Sequence, residues 1–242
     1  MKCSFTVYRF DPAVDKKGRY QEYTLEAERT DKILDCLNKI RWEQDPTLAY
    51  RFSCAHGICG SDAMVINGRI ELACQKLVKD FKTGNNFVIE PLPLFSVIKD
   101  LIVDMNPFFA KHRHIRPYLI TAGKALAEEF LQDAAQQAVI EPALRCILCA
   151  SCTAACPINR ANGEYLGPAA LLRAFRYIFD SRDAATDSRL VQIDSPEGVW
   201  GCKSMRWCTD VCPKGIPVTK CLGQIKRLVK QRAQGPSREP RP

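Results

Sequence analysis

A chain of 242 residues, 46% hydrophobic and with a net charge of +8, has room for one large or two modest domains with real cores. No run approaches the ~18 apolar residues of a membrane span; even residues 95–103 are broken by Lys99 and Asp100, and the strand-like start has no apolar signal core to suggest export. The positive charge gathers near the end of the chain, but no nucleic-acid module is visible and the aromatics do not interleave with the basic residues, so a solvated helix face and a tail account for much of it. Thirteen cysteines without an export signal point to metal or redox work rather than disulfides.

Residues 3–10 and 21–27 read as two strands, joined through Asp11-Pro12 and Lys17-Gly18. Thr30 is the expected N-cap of a helix running to about residue 44, with Ile33, Leu34, Leu37 and Ile40 on its apolar face. A cysteine loop follows, Cys54-x4-Cys59-x2-Asp62, with Cys74 as a distant fourth position, which is the plant-type spacing for a [2Fe–2S] cluster. Gly57 and Gly60 allow backbone amides to turn inward there. Asp62 stands where a third thiolate is usual. Either its carboxylate supplies an oxygen to iron, or the cluster has three thiolates with solvent or Ser61 completing it; the reading adopted is Cys54, Cys59, Asp62 and Cys74. Asn67-Gly68 between two apolar runs predicts a type I′ hairpin, and residues 87–89 complete the sheet. Strand pair, helix and cysteine loop in this order predict a ferredoxin-type β-grasp domain over residues 1–104.

Glu90-Pro91-Leu92-Pro93 ends the sheet, and from Val97 the pattern reads as helical. Helices are expected over residues 122–137, over 169–179 behind Gly167-Pro168 (Leu171, Leu172, Phe175, Ile178 and Phe179 on one stripe), and from near Pro217, with Ile225, Leu228 and Val229 inward. The fold class is therefore α+β, the β-grasp being followed by an all-α bacterial-ferredoxin-like domain over 105–233 and a disordered basic tail over 234–242. Each later cysteine run is expected in a turn between helices. Cys146-x2-Cys149-x2-Cys152-x3-Cys156-Pro157 has the bacterial ferredoxin spacing, in which the fourth cysteine ligates the other cluster. Its echo, Cys202-x5-Cys208-x3-Cys212-Pro213, carries Met205 where the second cysteine belongs. A thioether does not replace a thiolate on cluster iron. Cys146, Cys149, Cys152 and Cys212 thus form a four-ligand set for [4Fe–4S], and Cys156, Cys202 and Cys208 a three-ligand set for [3Fe–4S]. Zinc would want isolated C-x2-C pairs, which these runs are not. Cys3, Cys36 and Cys221 are left over, the first two for packing.

These stretches, together with Gly167-Pro168-Ala169, Asp180-Ser181-Arg182-Asp183 and Cys208-Thr209-Asp210-Val211-Cys212-Pro213-Lys214-Gly215, resemble the iron–sulfur subunit of succinate dehydrogenase and the related quinol:fumarate reductase across about 1–233. The missing cysteine at Met205 and the Asp62 substitution both belong to that pattern. The resemblance implies an electron wire between a flavoprotein subunit, with FAD and the dicarboxylate site, and a membrane anchor that binds quinone and in some complexes haem b. It implies a peripheral place on the cytoplasmic face of the inner membrane, and a role in respiration and the tricarboxylic acid cycle. It also puts Pro157, Lys203 and Lys226 where relatives have residues near the quinone. Arg160 and Ala161 depart from the family, where many members carry tryptophans, and Lys203 stands in place of a histidine. The alternatives are the same role in a quinol:fumarate reductase, or a soluble multi-cluster ferredoxin adaptor; Met205 argues against the adaptor, since low-potential ferredoxins need both four-iron sites.

Overall fold

The computed structural model describes residues 1–82, 84–121 and 129–233, and its contacts divide the chain into two compact units. The first holds Met1–Pro107 together with Ile147–Ala155; the second takes Phe108–Cys146 and the chain from Cys156 onward.

In the first unit, β1 (Lys2–Arg9) buries Cys3, Phe5 and Val7 on one face, as its alternation requires, and pairs antiparallel with β2 (Arg19–Glu26). β3 (Ala63–Ile66) and β4 (Arg69–Leu72) form the expected hairpin, with Asn67 and Gly68 at φ of 49° and 76°, the pair of positive angles a type I′ turn needs. β5 (Asn86–Glu90) lies at the centre, parallel to β1 and antiparallel to β3, giving the order β2-β1-β5-β3-β4. Phe5 stacks on Phe87 with centroids 4.8 Å apart. α1 (Ile33–Lys39) has Ile33, Leu34 and Leu37 fully buried; the chain continues as a π-helical turn, Ile40–Gln44.

The helix starts later than Thr30. Lys32 is drawn into an isolated bridge with Leu77, the Val78 amide donates to the Asp31 carbonyl, and the Asp35 carboxylate accepts from the Lys32 amide, so the last residues before the helix are committed to another strand-like segment. The expected helix from Val97 is also absent. β6 (Val97–Lys99) and β7 (Ile102–Val103) form a second hairpin around Asp100. That carboxylate is 1% exposed and accepts from Arg9 Nε at 3.0 Å, the Phe10 amide at 2.9 Å and the Ala49 amide at 2.8 Å. Partners distant in sequence decide this turn. Arg9 further bonds Tyr23, Asp45 and Thr47, so one buried guanidinium ties four segments together.

Two helices lie around the start of the second unit's sequence and in it: α2 (Asn106–His114) and α3 (Ala134–Leu144). α3 starts at Ala134, so residues 129–133 of the expected helix lie outside it, because Asp133 and Gln136 cap it reciprocally through bonds of 2.7 and 3.1 Å. Residues 122–128 of that expected helix, and the expected tail 234–242, lie outside the described residues. α6 (Gly167–Ile178) is buried along most of its length and packs against α3, α7 (Thr186–Ile193) and α9 (Val218–Ala233). Arg189, 1% exposed, pairs with Asp183 and donates to the carbonyls of Ile115, Arg116 and Tyr118. Asp180 accepts two bonds of 2.8 Å from Arg182. The Asp180–Asp183 motif is therefore a structural clamp.

The cysteine runs are not plain turns. Short helices α4 (Ser151–Ala154), α5 (Pro157–Ala161) and α8 (Trp207–Asp210) rise from them, with Cys156 capping α5 and Pro157 in its first turn. Residues 147–155, expected within the helical domain, pack instead with the first unit. There a Cβ on Gly60 would come 2.7 Å from Cys149 Cβ, so only glycine lets the two loops touch. Among the described residues no helix is long and apolar enough to cross a membrane. Cys3, Cys36 and Cys221 are all buried.

Candidate metal centres

The loop carrying Cys54 and Cys59 is wound by positive φ at Ala55, Gly57 and Gly60 (56°, 79° and 68°), which turns successive amides to one side. The amides of His56, Ile58 and Cys59 donate to Cys54 Sγ at 3.5, 3.3 and 3.3 Å. The amides of His56, Cys59 and Ile58 bring the Cys54 thiol down to about 6, so it is thiolate at neutral pH. Lys32 Nζ pins the loop through the Ala55 carbonyl at 3.0 Å. Burial, with the Asp62 carboxylate beside it, pushes the Cys74 thiol up to about 12, a proton that a metal must displace.

Asp62 is 2% exposed. Its Oδ2 accepts from the Cys74 amide at 2.6 Å, while its buried Oδ1 has no hydrogen-bond partner. Buried polar atoms are nearly always paired, and a bare carboxylate oxygen next to Cys74 is the donor that a fourth ligand position calls for. Ser61, the competing oxygen, lies 3.1 Å from Cys59 Sγ.

The two later runs share a backbone signature. In the first, Leu148 and Ala150 have φ of 55° and 64°; in the echo, Ser204 and Arg206 have 58° and 67°. Each pair sits two and four residues after its leading cysteine, Cys146 or Cys202, and each second member caps a one-turn helix carrying a further cysteine, Cys152 or Cys208. Met205 thus occupies the backbone position of Cys149.

Cys156, Cys202 and Cys208 line one cleft, together with Pro157, Lys203 and Met205. The Ser204 amide donates to Cys202 Sγ at 3.4 Å, and the Thr219 hydroxyl lies 3.5 Å from Cys208 Sγ. Burial raises the Cys208 thiol, with Thr219 opposing. Lys226 does not line the cleft; its ammonium donates to the Cys202 carbonyl at 2.5 Å and lies 6.0 Å from the Trp200 ring centroid. Among the described residues no three or more His, Cys, Asp or Glu side chains are grouped closely enough to hold a single metal ion.

Sequence reasoning missed Tyr165. It lines the same cleft as Cys156, Cys202 and Cys208 and is 1% exposed. Burial, reinforced by Cys202, Cys156 and Cys208, drives its phenol far above the usual range, so it remains protonated. The available signal was a lone aromatic in the polar stretch Asn162-Gly163-Glu164, where a tyrosine needs both burial and a partner for its hydroxyl.

Residues 4–110 match the family described as a 2Fe-2S iron-sulfur cluster binding domain, and residues 142–216 that described as a 4Fe-4S dicluster domain. The chain is 41% identical over 230 residues to the succinate dehydrogenase iron-sulfur subunit of Paracoccus denitrificans, covering 94% of this chain and 88% of that one. It is 38% identical over 234 residues to the subunit of the same name from Coxiella burnetii, covering 96% and 98%. A chain of the Mycobacterium smegmatis Sdh1 complex in the apo form superposes with a TM-score of 0.88 at 26% identity, covering 98% of both. The chain belongs to the family of succinate dehydrogenase iron–sulfur subunits.

Proposed function

We propose that Cys54, Cys59, Asp62 and Cys74 hold the [2Fe–2S] cluster, Cys146, Cys149, Cys152 and Cys212 the [4Fe–4S] cluster, and Cys156, Cys202 and Cys208 the [3Fe–4S] cluster. The observation that carries this assignment is the repeated pair of left-handed residues, which aligns Met205 with Cys149 and leaves the echo one thiolate short. The chain is the electron-transfer subunit of a succinate dehydrogenase, working between an FAD-bearing flavoprotein and quinone at a membrane anchor. When bound, the clusters accept and release electrons one at a time.

This chain's own residues supply the holding and the tuning. The amides on Cys54 and the one on Cys202 stabilise negative sulfur. Burial of Asp62 and Cys74 keeps water from that side of the first site. Functionally, we divide the chain into a two-iron domain over 1–104 and a dicluster domain over 105–233. Pro157 and Lys203 are proposed to face the quinone, supported by their place on the cleft that Cys156, Cys202 and Cys208 line. Lys226 is proposed to act there through Cys202, whose carbonyl it holds.

The subunit is peripheral in a membrane-bound complex. We assign it to the cytoplasmic face of the inner membrane; thirteen free cysteines suit a chain loaded with metal in a reducing compartment. The test is purification of the complex from membranes: flavoprotein and anchor co-purify, and succinate reduces the binuclear and three-iron centres seen by EPR. Recovery of the chain alone in the soluble fraction, loaded with clusters, would favour the ferredoxin adaptor instead.

A further inference from the structure

We infer that Tyr165 is a positioning residue for the three-iron site, its hydroxyl donating a hydrogen bond to the Cys202 sulfur and thereby setting how readily that site accepts an electron. The inference rests on the ligand set Cys156, Cys202 and Cys208 proposed above. It concerns the protein around the cluster, and Tyr165 itself neither gains nor loses an electron.

Three features hold the side chain in place. The phenol is almost fully buried, 1% exposed, against the cleft that the three cysteines line. Its ring lies on Gly201, the residue before Cys202, where a Cβ would come 2.5 Å from ring atom Cδ2; no other residue type lets the ring sit so near the ligand. At the backbone, Lys111 Nζ donates to the Tyr165 carbonyl at 2.7 Å and also bonds the Gly163 carbonyl. Ring and main chain are thus both fixed beside Cys202, in the cleft that Cys202 itself lines.

The chemistry then has one direction. A metal-bound cysteine sulfur has only lone pairs to offer, so the phenol is the donor. Hydrogen bonds to sulfur favour the cluster state carrying more negative charge, which is the reduced one. Removing only the O–H leaves ring, packing and Gly201 contact intact and disfavours reduction.

The test is a redox titration of the assembled complex, followed by EPR, for wild type and Tyr165→Phe. The three-iron reduction equilibrium falls about tenfold in the variant, a midpoint lower by ~59 mV, while the two-iron and four-iron midpoints stay put. A full three-iron signal with an unmoved midpoint overturns the inference and leaves the ligand set standing. If the variant assembles without that cluster, 3-fluorotyrosine at position 165 decides: its shape is nearly the same and its hydroxyl donates more strongly, so the midpoint rises, and an unchanged value overturns the inference. A wild-type complex with no three-iron signal overturns the ligand set itself, and this inference with it.

Discussion

Replacing Met205 by cysteine should turn a three-thiolate nest into a four-thiolate one. The backbone needs no change, because Ser204 and Arg206 already hold the φ pair that flanks Cys149 in the other run. Nor does packing stand in the way. The Met205 side chain is 50% exposed, so truncating it forfeits about half of a buried methionine's ~1.5–3 kcal/mol, near ~1 kcal/mol, or roughly 3 °C in Tm for a chain of this size. The new sulfur joins a cleft already lined by Cys156, Cys202 and Cys208. A fourth iron then binds, and the added thiolate charge lowers the midpoint of that centre by well over ~59 mV, one decade in a one-electron equilibrium. Iron analysis and EPR of the anaerobically prepared variant complex read both effects. A variant that keeps the three-iron spectrum, with iron content unchanged, would refute the equivalence of Met205 and Cys149.

Asp62→Ala should lose or strongly perturb the binuclear EPR signal, since Oδ1 is the bare oxygen beside Cys74; an unperturbed signal would remove Asp62 from the ligands and leave solvent or Ser61. Arg189→Ala leaves Asp183 buried without its partner and three carbonyls without a donor, so stability falls by about 3–5 kcal/mol in urea unfolding, and a loss under ~1 kcal/mol would contradict the clamp. Burial opposes ionisation of Asp45, but hydrogen bonds from Thr47, Tyr23 and Arg9 outweigh it and hold its carboxyl well below the usual range. A depressed folded value means that its stabilising contribution is complete above the unfolded value near ~4 and is lost as pH falls through the folded one. Asp45→Asn should therefore be less stable at neutral pH and lose less on acidification below pH ~4; a pH dependence parallel to wild type would count against this.

Much of the fold could be read from local pattern. Alternation set β1 and β2, Asn67-Gly68 set the hairpin register, and the stripe from Leu171 to Ile178 set α6. The proposed ligand sets come from the same local reading, because cluster binding constrains spacing within short runs. What stayed hidden depends on partners far along the chain. Nothing near Asp100 announces that Arg9, Phe10 and Ala49 will converge on it and bend 97–103 into a hairpin. The association of 147–155 with the first unit rests on a missing Cβ at Gly60, a residue with a sufficient local reason to be glycine in its φ of 68°. Helix propensity over 129–133 yields to the reciprocal cap of Asp133 and Gln136. Tyr165 was overlooked because its role comes from packing on Gly201 and from a lysine 54 positions earlier.

The proposal that this polypeptide grips iron at three places, two of them differing by a single thiolate, is open to direct measurement. Iron analysis and low-temperature EPR of the oxidised, anaerobically purified complex test this most directly. The expected result is about nine irons per chain, discounting any haem, with a three-iron signal present before reduction. A complex that contains far less iron, or shows no three-iron signal when oxidised, would contradict it.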